Sequence, residues 1–346
     1  MTFHELNRAF EAFTPTEEQE QAMLDRLLAE QKEVRPVSRV KKMTAVLVAA
    51  ALLLMVCAFT VVTGLDQRML AYFGAGEEDA QQVSGGVVGV EKSFHYANGW
   101  TINIAQVLAD RYSMAVLTEV VAPEGTALDG EAYYFELGME LPPSEKNQPV
   151  SSGWGYGPVV LEDEDPGDNR LTFLTTKGVR ELGAEDLLGQ NVTLTPEWLL
   201  ESGGKKLNVD FSMEEQEQSC TVTLPEQDSG KTYALKESIQ VDGETMTLSD
   251  LYLSPISLAF SLYSEANNPQ EFGPSEMTGM EEEAVLHLTG GEAVTLRRVV
   301  SQTYDQNTGV IHSVFQTDQI IQPEEVVSIT LLGQTFSLDG LTPVES

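Results

Sequence analysis

Hydrophobic and polar positions along this chain fall into three regimes. In residues 1–31 the apolar positions follow helical spacing. Phe3, Leu6, Phe10 and Phe13 recur three or four residues apart, with Glu5, Arg8 and Glu11 on other faces. A second helix is predicted from Thr14, a ready N-cap, with Pro15 in its first turn and Glu17 completing a capping box. Its apolar face carries Met23, Leu24, Leu27 and Leu28. Residues 43–65 then run without a Lys, Arg, Asp or Glu, and no polar stripe interrupts them. From about Ser93 the pattern changes to short alternating runs broken by Gly, Asn, Asp and Pro, which predicts antiparallel strands.

The uninterrupted run decides what the flanks can be. As a helix it extends about 35 Å, enough to cross a hydrocarbon layer of ~30 Å. The segment before it is too long and too well patterned for the basic leader of a cleaved export signal. Leu54-Met55-Val56-Cys57 has Val where a lipoprotein cleavage box needs a small residue, so Cys57 reads as an apolar filler. One permanent transmembrane helix is expected over residues 43–65. Lys32, Arg35, Arg39, Lys41 and Lys42 crowd its N-terminal side, and Arg68 stands alone on the other. Residues 1–42 are therefore expected in the cytoplasm and the remainder outside, with the cell membrane as the location. Residues 66–92 read as a juxtamembrane linker, with Tyr72 and Phe73 at headgroup level.

Charge sharpens the division. The chain has 20 Lys and Arg against 54 Asp and Glu. Residues 1–42 hold seven bases and eight acids, so the outer part keeps 13 bases and 46 acids. Such a surface repels nucleic acid, which is not expected as a partner. The near balance of residues 1–42 argues against helices lying on the membrane. Their apolar stripes form either a seam between the two helices or a face for a partner protein. The outer part has Cys220 alone, so no disulfide within it is possible.

Two stretches of the outer part align without a gap. "GWTINIAQVLADRYSMAVL" from Gly99 matches "GETMTLSDLYLSPISLAFS" from Gly243. Gly99/Gly243, Thr101/Thr245, Ser113/Ser257 and Ala115/Ala259 are identical, and Ile102, Ile104, Val107, Met114 and Val116 face Met246, Leu248, Leu251, Leu258 and Phe260. Apolar positions in matching order indicate a duplicated module. Each copy ends on similar strands, around Val192, Leu194, Leu207, Val209 and Phe211 in the first. Val327, Ile329, Leu331, Phe336 and Leu338, with a turn at Gly333, close the second. "SQTYDQNTGVIHSVFQ" reads as a hairpin turning near Asn307-Thr308-Gly309. The expected fold class is a mainly β ectodomain of two tandem immunoglobulin-like sandwiches, residues 93–225 and 226–346, beside the transmembrane helix and the short helical segment.

No catalytic constellation emerges. His4 in "HELNR" lacks the second histidine of a zinc-protease helix, and His95, His287 and His312 have no spaced Cys or His partners. Neither a nucleophile elbow nor a phosphate loop occurs. "LEDEDPGDNR" reads as a solvated acidic turn, because its spacing does not match the twelve-residue calcium loop. No catalytic, cofactor or metal residues are assigned, and an enzyme is not expected.

The order of "TPTEEQEQAMLDRLL", the basic "RVKK" before the span, "GWTINIAQVLADRYSMAVL" and "GETMTLSDLYLSPISLAFSLYS" resembles a family of single-pass membrane proteins of Gram-positive bacteria. These carry an extracytoplasmic domain of unknown function and are described as anti-sigma-factor-like. The resemblance implies a transmembrane regulator whose inner helices hold a sigma factor until the ectodomain responds to something outside. Phe3, Leu6, Phe10, Phe13, Met23, Leu24, Leu27 and Leu28 would then be the contact surface. The zinc-binding cluster of many anti-sigma domains is absent, since residues 1–42 contain no cysteine. The other expectation from the residues is a membrane-anchored surface protein whose sandwiches bind cell wall or another protein.

Overall fold

The computed structural model of the chain describes residues 65–130, 132–142, 158–161, 168–178, 186–201, 207–212, 218–241, 244–264, 283–305 and 310–344. The helices expected over residues 1–42, the bases Arg35, Arg39, Lys41 and Lys42, and the expected span apart from Leu65 lie outside them. So do the acidic turn at 162–167 and the hairpin tip at 306–309. No helix of the described residues is long and apolar enough to cross a membrane.

The described part is mainly β. Its first sheet contains β1 (Val87–His95), β2 (Thr101–Ala109), β3 (Ser113–Val121), β5 (Val159–Val160) and β6 (Arg170–Gly178), in the antiparallel order β1-β2-β3-β6-β5. The sheet that shares its core contains β4 (Tyr133–Glu140), β7 (Asn191–Glu201) and β8 (Asn208–Asp210) in the order β4-β7-β8, with β9 (Cys220–Thr223) also paired to β7. A second two-sheet unit follows. Its larger sheet runs β10 (Lys231–Val241), β11 (Glu244–Leu253), β12 (Ser257–Ser264), β16 (Val310–Gln316), β15 (Arg298–Asp305). Its smaller sheet runs β14 (Ala293–Leu296), β13 (Ala284–Leu288), β17 (Val326–Leu331), β18 (Gln334–Ser337).

The duplication read in the sequence is visible in the register. Ile102 and Ile104 are buried, then Val107 and Ala109; a strict two-residue alternation would not bury both pairs on one face. The β2–β3 ladder slips between Ile104 and Gln106, and the extra residue turns the strand over. The β11–β12 ladder slips between Leu248 and Asp250, the aligned positions, so Met246, Leu248, Leu251 and Leu253 repeat the arrangement. Phe135, Phe173, Leu194, Leu199 and Phe211 complete the first core. Leu286, Ile329, Leu331 and Phe336 complete the second.

Val327 lies in β17 as expected, but Val326 is the residue that joins Ile329 and Leu331 inside, because the β13–β17 ladder slips between His287 and Leu288. The turn near Gly333 is a two-residue connection in which Leu332 and Gly333 both have positive φ, 49° and 74°, as a tight hairpin of right-twisted strands requires. One expectation is corrected, that residues 66–92 form a linker. They fold into α1 (Gln67–Tyr72), α2 (Glu77–Val83), a 3-10 turn at Ser84–Gly86 and the start of β1. Phe73 is buried inside the protein rather than set at headgroup level.

Candidate functional site

The repeat places two equivalent turns face to face. Between β2 and β3, Asp110 donates its backbone N–H to Ser113 O at 2.9 Å; between β11 and β12, Ser254 does the same to Ser257 O at 2.9 Å. Each turn is capped by its own first side chain. Asp110 Oδ1 accepts from Tyr112 N at 2.8 Å and Ser113 N at 2.7 Å. Ser254 Oγ accepts from Ile256 N at 3.1 Å and Ser257 N at 2.9 Å. The other Asp110 oxygen then reaches across, accepting from Ser254 Oγ at 2.5 Å and Ser257 Oγ at 2.6 Å. Asp110 is 1% exposed. Its burial pushes the carboxyl up from its ordinary value, and the hydrogen bonds of Ser254, Ser257, Tyr112 and Ser113 recover part of that shift.

The next residues of the first turn complete the junction. Arg111 Nε pairs with Asp228 Oδ2 at 2.8 Å, and Arg111 N donates to Tyr252 Oη at 3.4 Å. Tyr252 Oη donates to Asp228 Oδ1 at 2.7 Å. Tyr112 meets the Tyr252 ring edge-on, centroids 4.9 Å apart. Burial, then the Asp110 and Asp228 charges, push the Tyr252 phenol upward, so it remains a donor. Two close approaches leave no room for a side chain. A Cβ on Gly230 would sit 2.2 Å from the Tyr252 ring, and one on Gly178 would sit 2.8 Å from Val300 Cγ2.

Helix α1 lies against both units. Asp66 caps it through Arg68 N at 2.8 Å and donates its own N–H to Gln106 Oε1 at 2.8 Å, just past the β2 bulge. Leu65, Met69 and Phe73, four residues apart, are buried on Leu108, Ala115, Leu117 and Leu174 of the first unit. Ile256, from the turn of the second unit, belongs to the same apolar cluster. Tyr72 Oη accepts from Arg298 Nη1 of β15 at 2.9 Å. Leu65, the last position of the expected span, is therefore already part of the packed interior.

This arrangement holds position rather than presenting a reactive group: its hydroxyls donate to a carboxylate shielded from solvent. Among the described residues, no group of three or more His, Cys, Asp or Glu is placed to hold a metal ion. His95, His287 and His312 lie beside Thr101, Thr330 and Ser261. Cys220 is half-buried in β9, and burial raises its thiol. The eight apolar residues expected to contact a partner lie outside the described residues, so the structure neither gathers nor separates them. Of the junction residues, Ser257 stood out in the sequence only through its identity with Ser113, and Asp110, Arg111, Asp228, Tyr252 and Ser254 were not singled out. A signal was present, because "DRYS" and "SPIS" occupy the same place in the two repeats and each begins with a residue that caps turns.

No protein-family model and no curated protein matches this chain. Among solved structures, the crystal structure of the conserved domain protein from Bacillus anthracis is similar over 70% of this chain and 75% of that one, with 10% identity and a TM-score of 0.47.

Proposed function

We propose that the protein is a single-pass membrane regulator, anti-sigma-factor-like, with a sensory ectodomain of two joined sandwiches. Residues 1–42 stay in the cytoplasm and bind a sigma factor, and residues 43–65 cross the membrane. The observation that carries the reading is the double attachment of α1. The chain leaves the expected span directly into a helix held by Leu108 and Leu117 of one sandwich and by Ile256 and Arg298 of the other. A shift of one sandwich against the other would displace α1, which begins at Gln67, two residues past the last position of the expected span. That is what a relay needs and a plain anchor does not.

The strand order supports the finer reading of both units as immunoglobulin-like. With the leading strand of each set aside, the larger sheets run β2-β3-β6-β5 and β11-β12-β16-β15. The smaller sheets run β4-β7-β8 and β14-β13-β17-β18. These are the A-B-E-D and C-F-G orders of that fold, with one further strand beside C in the second unit.

The test is affinity purification of the full chain from its host, beside a variant carrying Phe10→Asp and Leu27→Asp. Retention of a sigma factor by the wild type and its loss from the variant is the expected result. A wild type that retains none, or a variant that retains as much, overturns the sigma-factor reading.

A further inference from the structure

The outward face of the β4-β7-β8 sheet carries a second cluster, unrelated to the junction. Tyr134 and Glu136 project from β4, and Leu200 and Trp198 stand opposite them on β7. The Tyr134 and Trp198 rings lie side by side, centroids 5.2 Å apart and tilted by 30°, with Tyr134 38% exposed. Tyr134 Oη donates to Glu136 Oε2 at 2.7 Å. The ladder slips after Glu136, so Glu197 is an extra residue on β7. Its carboxylate lies over Gly138, where a Cβ would come within 2.6 Å of Glu197 Oε1.

Acids crowd these rings. Burial raises the Glu197 carboxyl, and the charges of Glu136, Glu140 and Asp210 raise it further. Lys177 is the base that offsets them among the described residues, but its ammonium donates to the Met139 carbonyl at 2.5 Å. A cation laid on the rings would meet their negative faces and relieve the repulsion between the carboxylates. A neutral ligand leaves that repulsion in place. A second copy of this chain brings its own excess of acids, 46 against 13 bases in residues 66–346.

We propose that this face docks a basic polypeptide segment, with an arginine or lysine side chain lying on the Trp198 and Tyr134 rings and its charge against Glu136 and Glu197. The inference goes beyond the relay reading, and the two fail separately: docking is read on purified protein, the relay through a cytoplasmic partner.

The experiment uses the full chain in detergent and a fluorescein-labelled peptide of alternating arginine and glycine, followed by fluorescence anisotropy. Saturable binding is expected, weakened about tenfold by Trp198→Ala and by Glu136→Gln, and less than about threefold by Tyr134→Phe, which keeps the ring. Glu237→Gln, at an exposed position of β10, is expected to change nothing. Should Trp198→Ala also lower the melting temperature, Glu136→Gln decides alone. Absence of saturable binding, or equal binding by wild type, Trp198→Ala and Glu136→Gln, overturns the proposal. Trp198-dependent binding of a neutral N-acetylglucosamine oligomer without peptide binding overturns it too, and assigns the face to sugars.

Discussion

Ser257 Oγ donates a 2.6 Å hydrogen bond to Asp110 Oδ2, linking residues 147 positions apart. Ser257 occupies in the second repeat the place Ser113 occupies in the first. The duplicated turn thus supplies both halves of the contact that joins the duplicated modules. One carboxylate satisfies four donors, two from each turn, with almost no access to water.

Asp110→Ala removes that acceptor while the four donors remain. Buried donors left without partners cost about 1–3 kcal/mol, and more where a charged group had served them. The loss is expected to total about 2–4 kcal/mol and to fall on the junction rather than on either core. Denaturant unfolding of the full chain should pass from one cooperative transition over both sandwiches to two. A single transition at the wild-type midpoint would contradict the role assigned to Asp110.

The acid side of the stability profile should show the same group. The Asp110 carboxyl is raised in the folded protein, so the folded state holds its proton more tightly than the unfolded chain does. Its contribution is complete below the ordinary carboxylate range and is lost as pH rises through the raised folded value. Tyr252 and the Arg111–Asp228 ion pair stand beside the junction. Glu324 runs the other way: hydrogen bonding to Lys231 lowers its carboxyl, so its contribution is lost as pH falls through the depressed value. Melting temperature against pH, compared between wild type and Asp110→Asn, should show the falling component in the wild type alone.

Packing between the sandwiches can be probed without touching a polar group. A Cβ on Gly178 meets Val300 Cγ2 at 2.8 Å and the Ser301 backbone N at 3.1 Å. Gly178→Ala is expected to destabilise by about 1–3 kcal/mol through overpacking. Gly290→Ala, where nothing lies within 4 Å, should be near neutral or mildly stabilising. Denaturant midpoints of the two variants measure the difference directly.

The attachment of α1 predicts a local effect. Tyr72→Phe removes one acceptor of Arg298 and leaves the ring in place. A loss of about 1.5–3 kcal/mol is expected, as for other hydrogen bonds to charged groups. It should appear as faster amide exchange in Gln67–Tyr72, with exchange in β11 and β12 unchanged. Equal exchange in wild type and variant would mean that Arg298 does not hold the helix.

The sequence carried the β pattern and the repeat because both rest on apolar positions, and Ile102/Met246 or Val107/Leu251 keep their order whatever separates them. A bulge is harder to read. Ala105 and Ser249 differ in no local way from their neighbours, and the turnover they cause shows only in which residues are buried. Val326 and Val327 are both apolar, and nothing local marks Val327 as the extra residue that the β13–β17 slip leaves unpaired. Leu65, Met69 and Phe73 were hidden for a different reason. They follow a long apolar run, and their spacing became meaningful only once β2, β3 and β6 supplied a face to cover. The junction was concealed by its polarity: Asp110 and Ser254 have the composition of exposed turns, and only the second turn explains why they are buried.

The proposed regulator crosses the membrane once, between residues 43 and 65, with the sandwiches on the far side. Alkaline phosphatase fused to the C-terminus, and separately to the N-terminus, measures this in living cells, since the enzyme is active only outside the cytoplasm. Activity at the C-terminus and none at the N-terminus is the predicted result. The same activity at both ends, or a mature chain that begins beyond Leu65, would contradict it.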